Sequence, residues 1–194
     1  MAPVNESPLH EDLQSLYHEY RKTNDIDSKA FFFSPECRQI CRADPSYAAK
    51  NSDTIIRYLH ESGSVLDRIY REAGWYNDEP NIPGPIRSFY TMRPLEGNET
   101  SDFATMKELA PAGFTSLDEV ENKAKDEKWA GLRVNMWTED GNGNGILVKV
   151  QYWWRMESSE DGGSWKQILH DIMYLGPVDG TEKDAGGAFV EDGA

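Results

Sequence analysis

Apolar residues fall at helical spacing in two stretches of the chain and alternate with period two in three others. Over residues 9 to 22, Leu9, Leu13, Leu16, Tyr17 and Tyr20 form one stripe with charged residues opposite, which predicts an amphipathic first helix. A second stripe of Ile55, Ile56, Leu59, Leu66, Ile69 and Tyr70 predicts a long helix over 52 to 74, capped by Ser52, weakened or bent at Gly63 and ended at Gly74. Between them, "DIDSKAFFFSP" reads as a turn and a short buried segment, and "ECRQICRADPSY" as a strand ending at the Asp44-Pro45 turn. A Pro-rich stretch leads into a strand at 86 to 93. The chain then makes an irregular excursion over 94 to 128 that ends in a short helix capped by Ser116.

From Trp129 the period drops to two. "WAGLRVNMWT", "GILVKVQYWWRME" and "SWKQILHDIMYLG" read as three long strands joined by Gly-rich turns, an antiparallel meander. On the middle strand Val148, Val150, Tyr152, Trp154 and Met156 share the face expected to meet the helices. Lys149, Gln151, Trp153, Arg155 and Glu157 share the other, where Arg155 is expected to form ion pairs across strands. The last strand is apolar on both faces and therefore calls for a second covering layer. Alternation allows only one of His170 and Asp171 to face the helices; His170, grouped with Ile168, Ile172 and Tyr174, is the inward candidate. The order of elements predicts an α+β domain over 9 to 178 with its helices on one face of a curved antiparallel sheet. Residues 1 to 8 are expected to be flexible. Residues 179 to 194, acidic and Gly-rich with little to bury, are expected to be a disordered tail.

Composition narrows the partners. A length of 194 residues at 38% hydrophobic content suits one packed domain. The formal charge of −14 repels phosphate backbones, and no Lys/Arg run offsets it, so neither nucleic acid nor an anionic membrane is an expected partner. No apolar run is long enough to span a bilayer and the start lacks a leader pattern, which predicts a soluble cytoplasmic protein. Cys37 and Cys41, if they sit on one strand, have Cα atoms roughly 13 Å apart, too far for a disulfide. With four scattered histidines and one cysteine pair, no metal or other cofactor is expected.

The stretch "LYHEYRKTNDIDSKAFFFSPECRQICRADPSYAAKNSDTIIRYL" resembles the nuclear transport factor 2-like superfamily, which includes the ketosteroid isomerases, SnoaL-like polyketide cyclases and scytalone dehydratase. The likeness lies in a tyrosine-bearing helix, an Asn-Asp-hydrophobic-Asp turn, a Phe, a strand ending Asp-Pro, and a helix opened by a small-residue turn and Ile. The order of elements extends it over roughly 9 to 176. The resemblance implies a cone: a curved antiparallel sheet with helices on its concave face around a ligand cavity. It places the isomerases' proton-shuttling aspartate on Asp44 and their oxyanion-stabilising tyrosine on Tyr17. Their second donor falls at or near Tyr152, a departure that argues against steroid isomerisation itself. The excursion at 94 to 128 is a further departure and implies a lid or a partner surface.

Two functions follow as expectations. In the first, a cofactor-free isomerase, cyclase or dehydratase acts on an apolar carbonyl compound, with Asp44, Tyr17 and His170 as catalytic groups and Tyr20, Tyr152, Trp154 and Tyr174 against the ligand. In the second, the chain is a non-catalytic ligand-binding or homodimerising domain; under either, a homodimer through the outer sheet face is expected, with Trp153 and the outward residues of the last strand in the interface.

Overall fold

The computed structural model describes residues 8–75, 86–159 and 162–192. Helix α1 (Pro8–Lys22) and helix α2 (Ser52–Glu72) fall where the apolar stripes place them. The cap of α2 is Asn51, whose side chain accepts a hydrogen bond from the Thr54 N–H at 3.0 Å, one residue before the expected Ser52. α2 runs through Gly63 unbroken, and the chain leaves it at Gly74 with φ +72°.

Six strands, β1 (Phe33–Cys41), β2 (Arg87–Pro94), β3 (Ala130–Glu139), β4 (Ile146–Ser159), β5 (Gly162–Pro177) and β6 (Ala188–Asp192), form one sheet in the order β1-β5-β4-β3-β2-β6. The meander of β3, β4 and β5 is antiparallel as expected, whereas β1 runs parallel to β5. The sheet is thus mixed and open, with β1 and β6 as its unjoined edges. This corrects the expected cone: the class is α+β, but the sheet neither closes nor curls strongly around the helices.

The protein is built in three layers. α1 and α2 cover one face through a core that includes Leu13, Tyr17, Ile55, Leu132, Val150 and Trp154. The excursion covers part of the opposite face: α3 (Met106–Leu109), α4 (Leu117–Asp126) and the turns around them bring Leu109, Phe114 and Val120 onto Ile40, Trp153 and Leu169. The second layer demanded by the apolar back of β5 is therefore supplied by the same chain. Ser116 caps α4 as expected, accepting from the Glu119 N–H at 3.0 Å. Arg155 stands outward, pairing with Glu127 at 3.0 Å and Glu157 at 2.7 Å.

The acidic tail departs from expectation. Residues 188–192 form β6, antiparallel to β2. Its acids meet cations of the sheet and α1: Asp192 pairs with Arg21, both Glu191 oxygens accept from Arg87 at 2.9 Å, and Lys149 donates to Asp184 at 2.6 Å. Charge and ladder bonds carry this docking together with Phe189, stacked on Phe89 with ring centroids 5.8 Å apart, and Val190, packed against the core. The flexible start expected over 1 to 8 lies outside the described residues except for Pro8, which opens α1.

Candidate functional site

A cavity of about 340 Å³ lies between α2 and the helix-facing side of the sheet. Its roof is the face of α2 that repeats every third or fourth residue: Ile55, Tyr58, Leu59, Ser62 and Leu66. Its floor comes from alternate residues of the strands, Met136 on β3, Val148, Val150 and Tyr152 on β4, and His170, Ile172 and Leu175 on β5. Gln39 of β1 and Tyr20 and Arg21 of α1 complete the lining.

The polar groups in this apolar wall are few. The ring of His170 stands edge-on to Phe33 and Tyr152, with centroids 5.1 and 4.9 Å away, and its Nε2 lies 2.5 Å from Gln167 Oε1. Burial pushes its pKa down to about 3, so the imidazole is neutral. Gln39 donates through Nε2 to the Tyr47 carbonyl at 2.9 Å, and the Tyr58 hydroxyl donates to the Ala48 carbonyl at 3.1 Å; both are committed to holding the chain after β1. Burial raises Tyr20 and Tyr152 far above the usual phenol range, which keeps both protonated. Arg21 Nη2 pairs with Asp192 and its Nη1 contacts the Met136 sulfur at 3.6 Å, while Nε is buried with no partner.

Of the residues singled out in the sequence, Tyr20, Tyr152 and His170 line the cavity together. Asp44 lies outside it. Its Oδ1 accepts from the Ser46 N–H at 3.0 Å and the Ser46 hydroxyl at 2.6 Å, capping the turn Pro45–Tyr47, and Oδ2 faces Arg68 at 3.6 Å. The Ser46 hydrogen bond holds its pKa below the usual carboxylate value. Tyr17 is fully buried against Tyr20, Tyr90 and Tyr152, off the cavity wall, and its hydroxyl makes no well-formed hydrogen bond. Trp154 is likewise inside the core.

Tyr174 faces the other side of the sheet. A register shift opposite Lys149 and Val150 places it across from Lys149, where it packs on the cluster of Phe89, Trp137 and Leu147 and donates to the Pro177 carbonyl at 2.7 Å. A second shift opposite Trp153 and Trp154 turns Ile168 outward, so strict alternation holds only for His170 and Ile172. Arg21, Gln39 and Tyr58 were not among the residues expected at a site. For Arg21 the signal was a basic residue one position past Tyr20, at the edge of an apolar stripe.

Searches of the curated proteins and of the solved structures each found no match. A family model for the SnoaL-like domain matches residues 2–191, nearly the whole chain. The chain belongs to the SnoaL-like family of the nuclear transport factor 2-like superfamily.

Proposed function

We propose that the protein binds an apolar small molecule in the cavity under α2. The observation that carries this is the make-up of the wall: a space of about 340 Å³, lined mostly by aliphatic and aromatic side chains, with a few polar groups among them. That is the pattern of a small-molecule site, in which area gives affinity and a few fixed polar groups give orientation. In this reading His170 and Tyr152, both in the lining, meet a carbonyl or hydroxyl of the ligand, with Tyr152 protonated.

Cofactor-independent isomerisation, cyclisation or dehydration is the second reading, favoured by His170 and Tyr152 sharing the floor. It is the weaker of the two, because an imidazole with a pKa of about 3 is a poor base at neutral pH and Asp44 is not at hand to replace it.

Native mass spectrometry tests the proposal. Protein purified from its own source should carry a low-mass adduct, or take up one equivalent of the neutral fluorophore N-phenyl-1-naphthylamine, and Leu59→Trp should lose either. A wild-type spectrum with no adduct, even in excess fluorophore, would overturn it.

A further inference from the structure

We propose that the cavity's ligand carries an anionic head, a carboxylate or an equivalent oxyanion, and that the guanidinium of Arg21 receives it. This deepens the binding role above and rests on it. Arg21 stands in the cavity wall, one residue past Tyr20, which also lines it. A guanidinium offers five N–H donors in a planar fork. Here one carboxylate, Asp192, takes Nη2, the partner of Nη1 is the Met136 thioether, a weak acceptor, and Nε is buried with no partner.

The surroundings sharpen the case. The ring of Tyr90 lies 5.5 Å from the Arg21 guanidinium carbon, and its hydroxyl is already engaged with His18 Nδ1 at 2.5 Å. The walls beyond Met136 are aliphatic: Val148, Val150 and Ile172. A charged fork half-satisfied in the wall of an apolar chamber fits an amphiphile whose tail fills the chamber and whose head completes the fork. Asp192 reaches Arg21 from the end of strand β6, so it competes with the ligand head for the same guanidinium.

The test displaces N-phenyl-1-naphthylamine, a neutral probe of the apolar chamber, with decanoate and with 1-decanol. These share a tail and differ in the head. Wild-type protein should prefer decanoate by about tenfold or more, as a charge-assisted pair in a desolvated site implies. In Arg21→Met the ratio of decanoate to decanol affinity should fall to about one, whatever the variant's own affinity for the fluorophore.

Asp192→Asn serves if Arg21→Met fails to fold. It leaves the guanidinium in place and removes its competitor, and should tighten decanoate severalfold while leaving decanol unchanged. Equal displacement by the two amphiphiles in wild-type protein, or decanoate weakened by Asp192→Asn, would overturn the anionic head while leaving the apolar chamber standing. A protein that does not bind the fluorophore at all would overturn both.

Discussion

His170 stands edge-on to Tyr152 with ring centroids 4.9 Å apart, a neutral imidazole in the floor of an apolar chamber. Folding takes this histidine from a pKa of 6.5 to about 3. A depressed pKa means that the unfolded chain binds a proton that the native state refuses. The stabilising contribution is therefore whole above pH 6.5 and is lost as pH falls toward 3, with a limiting slope of about 1.4 kcal/mol per pH unit. Urea midpoints of wild-type and His170→Gln protein, followed from pH 7 to 4, should converge as the pH drops. Parallel curves would mean that His170 is charged or solvated in the native state.

Asp44 belongs to the turn, not the chamber. Asp44→Ala removes an acceptor for the Ser46 N–H and hydroxyl and should cost about 1 kcal/mol, the usual worth of a cap. Fluorophore binding should be unchanged. A large loss of binding at unchanged stability would return Asp44 to the site.

The docking of β6 makes truncation costly. Removing residues 179 to 194 strips β2 of its outer partner and leaves Asn135, fully buried, without the Glu182 carbonyl and the Asp184 carboxylate that its amide reaches at 3.0 and 2.8 Å. Arg21, Arg87 and Lys149 lose their carboxylates as well. Tm should fall by about 5 °C or more. A change within 1 °C would mean that the strand is not docked in solution.

Trp153 is covered by the chain's own excursion, its ring 4.7 Å from that of Phe103 and 6.4 Å from that of Trp129. Trp153→Ala should destabilise by about 3–5 kcal/mol, seen as a lower urea midpoint that does not vary with protein concentration. A concentration-dependent midpoint would instead put this side chain between two copies.

The helices, the meander and the inward turn of His170 were legible because periodicity over ten or more residues records which face is buried. Tyr174 was not, since one extra residue at Met173 reverses every later side chain and leaves no mark in composition. The parallel pairing of β1 with β5 lies beyond local pattern altogether, because nothing within "ECRQIC" specifies its neighbour. β6 was missed because the tail's acids read as solvated until their partners, Arg21, Arg87 and Lys149, are seen across more than thirty residues of chain. Asp44 was assigned by family likeness, and an Asp-Pro turn that only caps itself carries the same letters.

The central claim is that the space under α2 is a ligand site. Leu59 lies in its roof, and Leu59→Trp would fill it from the partly exposed side of the helix. Titration of N-phenyl-1-naphthylamine into wild-type protein should give a saturable rise in emission at one equivalent, and Leu59→Trp should abolish the rise while the fold stays intact by circular dichroism. Emission that never saturates in wild-type protein, or that saturates equally in the folded variant, would contradict it.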